Sequence, residues 1–245
     1  MPPEMRSDLP HWVKGGIEHW PALRRWSLAH LAACFAQEQV FLTEDLATAR
    51  PIRKMRFPDY CAYVRHSAAR EPADPVLYAS RFQPMASDQL ADDWEQPPHE
   101  NLFLKLAPAA KRRYLCRFGW LLLSPRGGVA SRHTDLFSTH AWLAVVWGCK
   151  RVRVWEPDPT GDQPYVESWL TAGDLFYIPP RWPHDVLNVE PTLAVTFNGI
   201  RESQLSGLRA AVAANHSAWC SHWGLGPMQA DVDGFLGIGE TLQRA

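Results

Sequence analysis

The chain has 245 residues, a formal net charge of −1 and a hydrophobic fraction of 46%, which fits one globular domain with a sizeable core. No uncharged apolar run reaches about 18 residues, so no membrane span is expected. The near-neutral charge gives no electrostatic basis for binding nucleic acid. The N-terminus, MPPEMRSDLP, lacks the apolar segment of a secretory signal. The five scattered cysteines form no CxxC pair, which favours free thiols and a cytoplasmic location.

The first part of the chain, residues 1–110, is predicted to be mostly helical. Ser27 is a suitable N-cap for SLAHLAACFAQ, in which apolar residues recur at helical spacing. The segment FPDYCAYVRHSAA has a similar pattern. Residues 84–100 are polar, contain prolines and are predicted to form a connecting loop.

Residues 111–200 are predicted to form a β core. Short runs rich in β-branched and aromatic residues are separated by Pro, Gly and Asp, a pattern typical of an antiparallel barrel or a double-sheet jelly roll. The runs are YLCRFGWLLLS, AWLAVVWGCKRVRVWEP, GDLFYIPP, HDVLNV and TLAVTFN. Residues 201–245 return to a helical pattern, so the fold class is mainly β with flanking helices, in a single domain over residues 1–245.

One short segment, RHTDLFSTHAW, carries two histidines and an aspartate. Residues two apart in a strand point to the same face, so His133 and Asp135 project together. Two histidines and one carboxylate with open positions are typical of non-haem Fe(II) oxygenases, so a third ligand is needed. His140 lies at an odd offset and would face away, whereas His184 follows a Pro-Pro stop that presents it at the mouth of the β core.

The series HTD, WGCKRVRVWEP and AGDLFYIPPRWPHDV resembles the JmjC-like cupin group of Fe(II)- and 2-oxoglutarate-dependent oxygenases. Within it, the chain is similar to the subgroup of the asparaginyl hydroxylase that acts on hypoxia-inducible factor, also in VKGGIEHWPALRRWSLAHLAACF. The resemblance implies a double-stranded β-helix and assigns His133, Asp135 and His184 as iron ligands. His140 and its neighbour Thr139 are then candidates for substrate contact. Alternatively, His140 forms hydrogen bonds that support the residues of the metal site.

A lysine is expected on the inner wall of this core. The run CKRVRVWEP alternates, so Lys150 shares a face with Val152, and read backward the same face carries Gly148, Val146 and Ala144. An ammonium pointing into such an apolar wall needs a counter-charge. The resemblance implies that Lys150 binds the distal carboxylate of 2-oxoglutarate.

Two further polar residues, Thr196 and Asn198, share a face by alternation in AVTFNGI. The resemblance places polar groups near the cosubstrate in this region, so both are candidates for cosubstrate binding. In contrast, His216 and His222 lie in a helical stretch and are expected to be surface or packing residues.

The resemblance implies O2-dependent hydroxylation of a C–H bond in a small molecule, an amino acid or a peptide side chain, with release of succinate and CO2. Two alternatives remain: an iron cupin oxygenase that does not use 2-oxoglutarate, and a non-catalytic cupin-like binding module. The resemblance also implies a homodimer through the C-terminal helices, where Leu205, Leu208 and Val212 form an apolar stripe.

Overall fold

A computed structural model describes residues 8–48, 50–67, 75–80, 82–97, 100–158 and 161–238. The helices among these residues are α1 (Ala22–Arg25), α2 (Leu28–Cys34), α3 (Phe57–His66), α4 (Pro108–Phe118), α5 (Leu205–Ala214), α6 (His216–Trp223) and α7 (Gln229–Phe235). The strands are β1 (His11–Val13), β2 (Gln39–Thr43), β3 (Arg53–Arg56), β4 (Tyr78–Ser80), β5 (Gly119–Ser124), β6 (Val129–His133), β7 (His140–Trp147), β8 (Cys149–Val154), β9 (Val166–Thr171), β10 (Leu175–Ile178), β11 (His184–Asn188) and β12 (Thr192–Gly199).

Two facing antiparallel sheets form the centre of the molecule. The larger has the strand order β1-β10-β7-β12-β5, and the smaller has the order β6-β11-β8-β9. Inward side chains of both sheets, including Leu143, Val145, Val152 and Phe176, form one buried cluster between them. This double-sheet arrangement with flanking helices is the predicted jelly roll, and the predicted fold class is confirmed.

The crossing from β7 to β8 corrects one sequence expectation. Val145 lies inside the barrel with Lys150 and Val152, whereas Ala144 and Val146 belong to a second cluster on the outer face of the larger sheet. Alternation does not continue through Gly148, because that glycine has φ +85° and the chain passes there from one sheet to the other. The expected inner positions of Ala144 and Val146 were therefore wrong, while the inner position of Lys150 is confirmed.

The N-terminal part combines helices with a three-stranded sheet of order β3-β2-β4. Both predicted helices are present, and Ser27 Oγ accepts a hydrogen bond from the backbone N–H of His30 at 3.1 Å. The strands β2, β3 and β4 were not expected, since their runs are short and charged or lie beside unassigned sequence. The cluster that covers the outer face of the larger sheet draws on α2, α3 and β2.

The predicted strand that began at Tyr114 was wrong at its start. Residues 108–118 form α4, with Pro108 in the first turn, and Ala110, Tyr114 and Phe118 all buried on one face. That spacing of four is the helical period, and it outweighed the β preference of the aromatic residues. The β core therefore begins at Gly119 rather than at residue 111.

The C-terminal helical stretch divides in two at Asn215. The Asn215 side chain accepts a hydrogen bond from the backbone N–H of Ala218 at 3.1 Å and so caps α6. Leu208 and Val212 are fully buried in a cluster with α4, and Leu205 packs against it. This stripe is used inside the chain, so it does not support the predicted homodimer. Within the described ranges, no helix is both long and apolar enough to cross a membrane.

Candidate metal centre and cosubstrate pocket

Two histidines from neighbouring strands meet at one end of the smaller sheet. His133 is the last residue of β6, His184 is the first of β11, and the two are direct cross-strand partners. Their ring centroids lie 4.3 Å apart. Asp135 follows β6 by two residues, and one of its carboxylate oxygens lies 3.9 Å from His184 Nε2. The strand pairing thus brings together the three residues that the sequence analysis selected.

Each histidine is fixed in a definite tautomer by the backbone. His133 Nδ1 donates to the carbonyl of Ser131 at 2.7 Å, and His184 Nδ1 donates to the carbonyl of Trp182 at 3.0 Å. Because a carbonyl only accepts, Nδ1 carries the proton and Nε2 keeps its lone pair. Burial lowers the pKa of His184, which favours the neutral ring. Both rings therefore have a ligand atom available.

The carboxylate of Asp135 completes the donor set. Its Oδ2 is buried and has no hydrogen-bond partner among the described residues. An unpaired buried carboxylate oxygen is costly, and a cation would satisfy it. One ligand atom from each of His133, Asp135 and His184 lies within 4.8 Å of the others. Two imidazole nitrogens and one carboxylate with the remaining positions open fit a non-haem Fe(II) site.

The three residues line a cavity of about 780 Å³ that opens between the two sheets. Its inner wall is largely apolar, with Leu122, Leu143 and Ile178 among the lining residues. Beyond the three candidate ligands, its polar lining comprises Tyr78, Ser80, Gln83, Arg117, Trp120, Thr134, Thr196, Asn198, Ser221 and His222. This size and composition suit a small organic ligand beside the metal.

Lys150 is fully buried behind this cavity. Its Nζ donates to Tyr78 Oη at 3.0 Å and to Asn188 Oδ1 at 2.6 Å, and no described carboxylate pairs with it. Burial lowers the pKa of Lys150 to about 7. The ammonium thus has neutral partners only, which leaves it suited to an anionic ligand that reaches the cavity wall at Tyr78.

Sequence reasoning missed both partners of Lys150. Asn188 is the cross-strand neighbour of Lys150 on β11, so the pairing of β8 with β11 could have suggested it. Tyr78 lies 72 positions earlier on β4, and no local pattern links it to the lysine. Only the packing of the N-terminal sheet over the cavity brings it there.

Thr196 and Asn198 both line the cavity, as their alternation on β12 predicted. Asn198 Nδ2 donates to Thr139 Oγ1 at 3.1 Å, and Thr139 Oγ1 donates in turn to the carbonyl of Leu136 at 2.7 Å. The Asn198 side chain is thereby oriented at the wall. Thr139 is fully buried, lies outside the cavity lining and orients Asn198.

His140 is likewise not in the cavity lining. It begins β7 on the face opposite to Ala141 and Leu143, both of which line the cavity. The ring is fully buried, and Nδ1 donates to Gln204 Oε1 at 2.8 Å. The placement of His140 and Thr139 gives no support to direct substrate contact, because His140 starts β7 in the other sheet and its ring points away from the cavity to Gln204 in the C-terminal segment.

The turn after Asp135 has an unusual backbone. Phe137 and Ser138 both have positive φ, 54° and 53°. Such conformations cost about 1–3 kcal/mol each in non-glycine residues and persist where the surroundings fix them. Phe137 packs edge-on against Trp219 of α6, with ring centroids 5.0 Å apart. This contact anchors the turn that carries Asp135 to the C-terminal helices.

His222 was expected to be a surface or packing residue; it does pack against Phe118, and in addition it has a place in the cavity that was not expected. Its side chain lines the cavity together with Arg117 and Ser221. The ring lies edge-on to Phe118 at a centroid distance of 4.6 Å, and burial lowers its pKa. A lone histidine in a helix carries no signal of this role, because the cavity wall is assembled from α4 and α6 only in the folded chain.

Residues 147–208 match the family model described as the JmjC domain. That range begins at the end of β7, runs through β8 to β12 and includes Lys150, His184, Thr196 and Asn198. The fold, the three converging donors and this match support a JmjC-type cupin, a class that includes Fe(II)- and 2-oxoglutarate-dependent oxygenases. The predicted family is confirmed, and the likeness to the asparaginyl hydroxylase subgroup stays a prediction.

The chain is similar to several curated proteins of that class. It is 25% identical over 236 residues to the lysine-specific demethylase JMJ21 of Arabidopsis thaliana, covering 81% of this chain and 24% of the relative. It is 25% identical over 232 residues to the arginine-specific demethylase JMJ22 of Arabidopsis thaliana, covering 81% and 43%. A third, the bifunctional arginine demethylase and lysyl-hydroxylase psr-1 of Caenorhabditis elegans, is 20% identical, with coverage of 89% and 62%. The chain thus spans less than two thirds of the length of each of these relatives.

Among solved structures, the ribosomal oxygenase YcfD of Escherichia coli is similar, with 15% identity and a TM-score of 0.44. The overlap covers 85% of this chain and 53% of that chain.

Proposed function

We propose that this chain is an Fe(II)- and 2-oxoglutarate-dependent oxygenase that hydroxylates a C–H bond of a small molecule, an amino acid or a peptide side chain. The observation that carries the proposal is the convergence of His133, Asp135 and His184 in the wall of a cavity behind which Lys150 is buried. The metal ligand set lines the cavity, and a buried lysine without a carboxylate partner among the described residues lies directly behind Tyr78 in the cavity wall. That combination suits a metal together with a dicarboxylate.

In this proposal the two histidine Nε2 atoms and Asp135 Oδ2 hold the iron. The carbonyls of Ser131 and Trp182 hold the rings so that Nε2 points away from the backbone bonds. The bound iron and 2-oxoglutarate would supply activation of O2 and oxidation of the substrate. The protein contributes the positions, the charges and the exclusion of water.

Lys150 and Tyr78 are proposed to bind the distal carboxylate of the cosubstrate. Val154 on β8 is the cross-strand partner of His184. Lys150 lies four residues from Val154 on the same strand, so the backbone of Lys150 is about 13 Å along the strand from the level of His184. The lysine side chain covers part of that distance, and a dicarboxylate would cover the rest. Thr196 and Asn198, on the opposite sheet, would offer hydroxyl and amide groups to the same ligand.

The substrate class follows from the charge of the lining. Asp135 is the one carboxylate among the described residues of the cavity wall, and the iron would neutralise it. Relatives named for acting on arginine or lysine make a basic side chain a second candidate. The cavity wall, however, carries the positive charge of Arg117 and is otherwise mostly apolar. This lining favours a neutral or acidic substrate side chain over a basic one, and we propose that class.

The test is turnover with defined substrates. Fe(II), ascorbate, O2 and 2-oxoglutarate are supplied with peptides and amino acids that carry neutral, acidic, basic or methylated basic side chains, and succinate and product mass are measured. The proposal expects succinate coupled to a gain of one oxygen on a neutral or acidic substrate. Loss of a methyl group from basic peptides would establish demethylation instead, and product formation without 2-oxoglutarate would establish the cosubstrate-independent alternative.

We also propose a cellular location and exclude one class of partner. All five cysteines are free thiols, which supports a cytoplasmic location. The near-neutral overall charge supports a partner that is not a nucleic acid.

A further inference from the structure

A second group of metal-ligating side chains lies among the C-terminal helices, away from the three candidate iron ligands. His216 and Cys220 are four residues apart on α6, so both side chains project from one face of the helix. Asp233 on α7 faces them. One ligand atom from each of the three lies within 4.8 Å of the others.

The distances in this group match those between ligands of one metal ion. His216 Nε2 lies 3.1 Å from Asp233 Oδ2 and 3.5 Å from Cys220 Sγ. Bonds of about 2.0–2.1 Å from zinc to nitrogen or oxygen and about 2.3 Å to sulfur place tetrahedral neighbours roughly 3.3 Å (N to O) and 3.5 Å (N to S) apart. The side chains would need only small adjustments to share a cation.

Hydrogen bonds from neighbouring side chains orient the Asp233 carboxylate, as is usual for carboxylate ligands in metal sites. Asp233 Oδ1 accepts hydrogen bonds from Trp219 Nε1 and Gln229 Nε2, both at 2.9 Å, which leaves Oδ2 toward His216 and Cys220. The amide oxygen of Gln229 is buried and has no hydrogen-bond partner among the described residues. A cation, or a water bound to it, would supply that missing partner.

We infer that His216, Cys220 and Asp233 form a site for a divalent soft metal, zinc in particular. A thiolate, an imidazole and a carboxylate are a donor set that zinc accepts in tetrahedral geometry, with water or the Gln229 amide in the fourth position. On binding, the Cys220 thiol gives its proton to solvent, and the neutral His216 ring carries its single proton on Nδ1, which leaves the Nε2 lone pair for the metal. This site is independent of the proposed oxygenase activity.

The site has a structural consequence for the cavity. Ser221 and His222, which line the cavity, follow directly after Cys220 on α6. A metal that joins α6 to α7 would hold this part of the cavity wall in place. Exchange of the backbone amides of residues 216–223 would slow when the metal binds.

Cobalt titration of the intact, metal-free chain tests the inference. Sulfur bound to Co²⁺ gives an intense near-ultraviolet charge-transfer band, and the three candidate iron ligands contain no sulfur. The band is expected in the wild type and in His133→Ala, and it should disappear in Cys220→Ser. Cys116→Ser, at a half-buried free cysteine of α4, is the matched control and should keep the band.

Zinc should displace the cobalt and remove the band, and metal content by mass spectrometry should fall from about two equivalents in the wild type to about one in Cys220→Ser. His216→Ala offers a second variant that retains the thiol and should also lose the band. A wild-type chain without a sulfur band, or a band that persists in Cys220→Ser, would overturn the inference. Because His133→Ala retains the sulfur band in this scheme, failure here is distinct from failure of the iron site.

Discussion

His133 and His184 are paired directly across β6 and β11, with ring centroids 4.3 Å apart, although 51 positions separate them in the chain. The pairing puts one imidazole at the end of one strand and the other at the start of its neighbour. The backbone register itself therefore fixes two of the three proposed iron ligands. Displacement of β11 by one residue would turn His184 to the other face of the sheet.

Replacement of His140 by alanine should destabilise the fold without weakening iron binding. The buried ring donates to Gln204 Oε1, which also accepts from the backbone N–H of Arg201, so its loss would remove one of two hydrogen bonds and create a void, at a cost of about 1–3 kcal/mol. Thermal unfolding and anaerobic iron titration measure the two effects. His66→Ala, at an exposed helical histidine, serves as control. Loss of iron binding in a folded His140→Ala protein would show that the residue belongs to the metal site after all.

Tyr78→Phe should weaken binding of 2-oxoglutarate and leave iron binding unchanged. The change removes the hydroxyl that accepts from Lys150 Nζ and lines the cavity. Loss of one hydrogen bond to a charged group corresponds to about 1.5–3 kcal/mol, or roughly a 10- to 150-fold rise in Kd. Equilibrium binding to the iron-loaded protein without O2 measures it. Tyr165→Phe, at an exposed tyrosine, is the control, and an unchanged Kd in Tyr78→Phe would remove Tyr78 from the cosubstrate site.

The pH dependence of cosubstrate affinity should report on Lys150. Its pKa in the folded chain is about 7, lowered by burial, and an anionic ligand binds the charged form. Affinity for 2-oxoglutarate should therefore fall as the pH rises above about 7, by up to tenfold per pH unit. Lys150→Met should bind weakly and show a flat profile between pH 6 and pH 8. A wild-type affinity that rises over this range would contradict the assignment.

Folding stability should depend on the same lysine with the opposite sign, rising with pH where cosubstrate affinity falls. Its folded pKa lies below the ordinary value of 10.5, so between about pH 7 and that value the unfolded chain binds more protons than the folded chain. Stability from this group should rise with pH across that window and be lowest below pH 7. Lys150→Met should accordingly raise the Tm of the ligand-free chain more at pH 6 than at pH 9. A constant difference between the two pH values would contradict the buried charge.

Gly148→Ala should strongly destabilise the barrel. Gly148 has φ +85°, and a Cβ there would lie 2.2 Å from the carbonyl oxygen of Pro191. Strain of about 1–2 kcal/mol for the left-handed backbone adds to the cost of moving that segment. Gly161→Ala is the matched control, because a Cβ at that position meets nothing within 4 Å. Equal chemical denaturation curves for the two variants would show that the passage between sheets tolerates a side chain.

The sequence predicted the parts of the site that alternation and strand order determine. His133 with Asp135 and Thr196 with Asn198 follow from a period of two, and the Pro-Pro stop before His184 marked the third donor. It did not predict what distant packing determines. Tyr78 and His222 reach the cavity from β4 and α6, and nothing near either residue indicates it. The helix at Tyr114 was missed because the aromatic residues of its run suggested a strand although the buried residues recur at helical spacing. The change of face at Gly148 was missed because a positive φ cannot be deduced from the alternation of the neighbouring strand residues.

The most direct test of the central claim is anaerobic titration of the metal-free chain with Fe(II) and 2-oxoglutarate, with visible absorption as the readout. The account predicts a weak charge-transfer band in the wild type. The band should be absent in His133→Ala, weakened in Lys150→Met and unchanged in His66→Ala. Bound iron without a band would contradict the use of 2-oxoglutarate. Failure of the folded wild type to bind iron at His133, Asp135 and His184 would contradict the oxygenase itself.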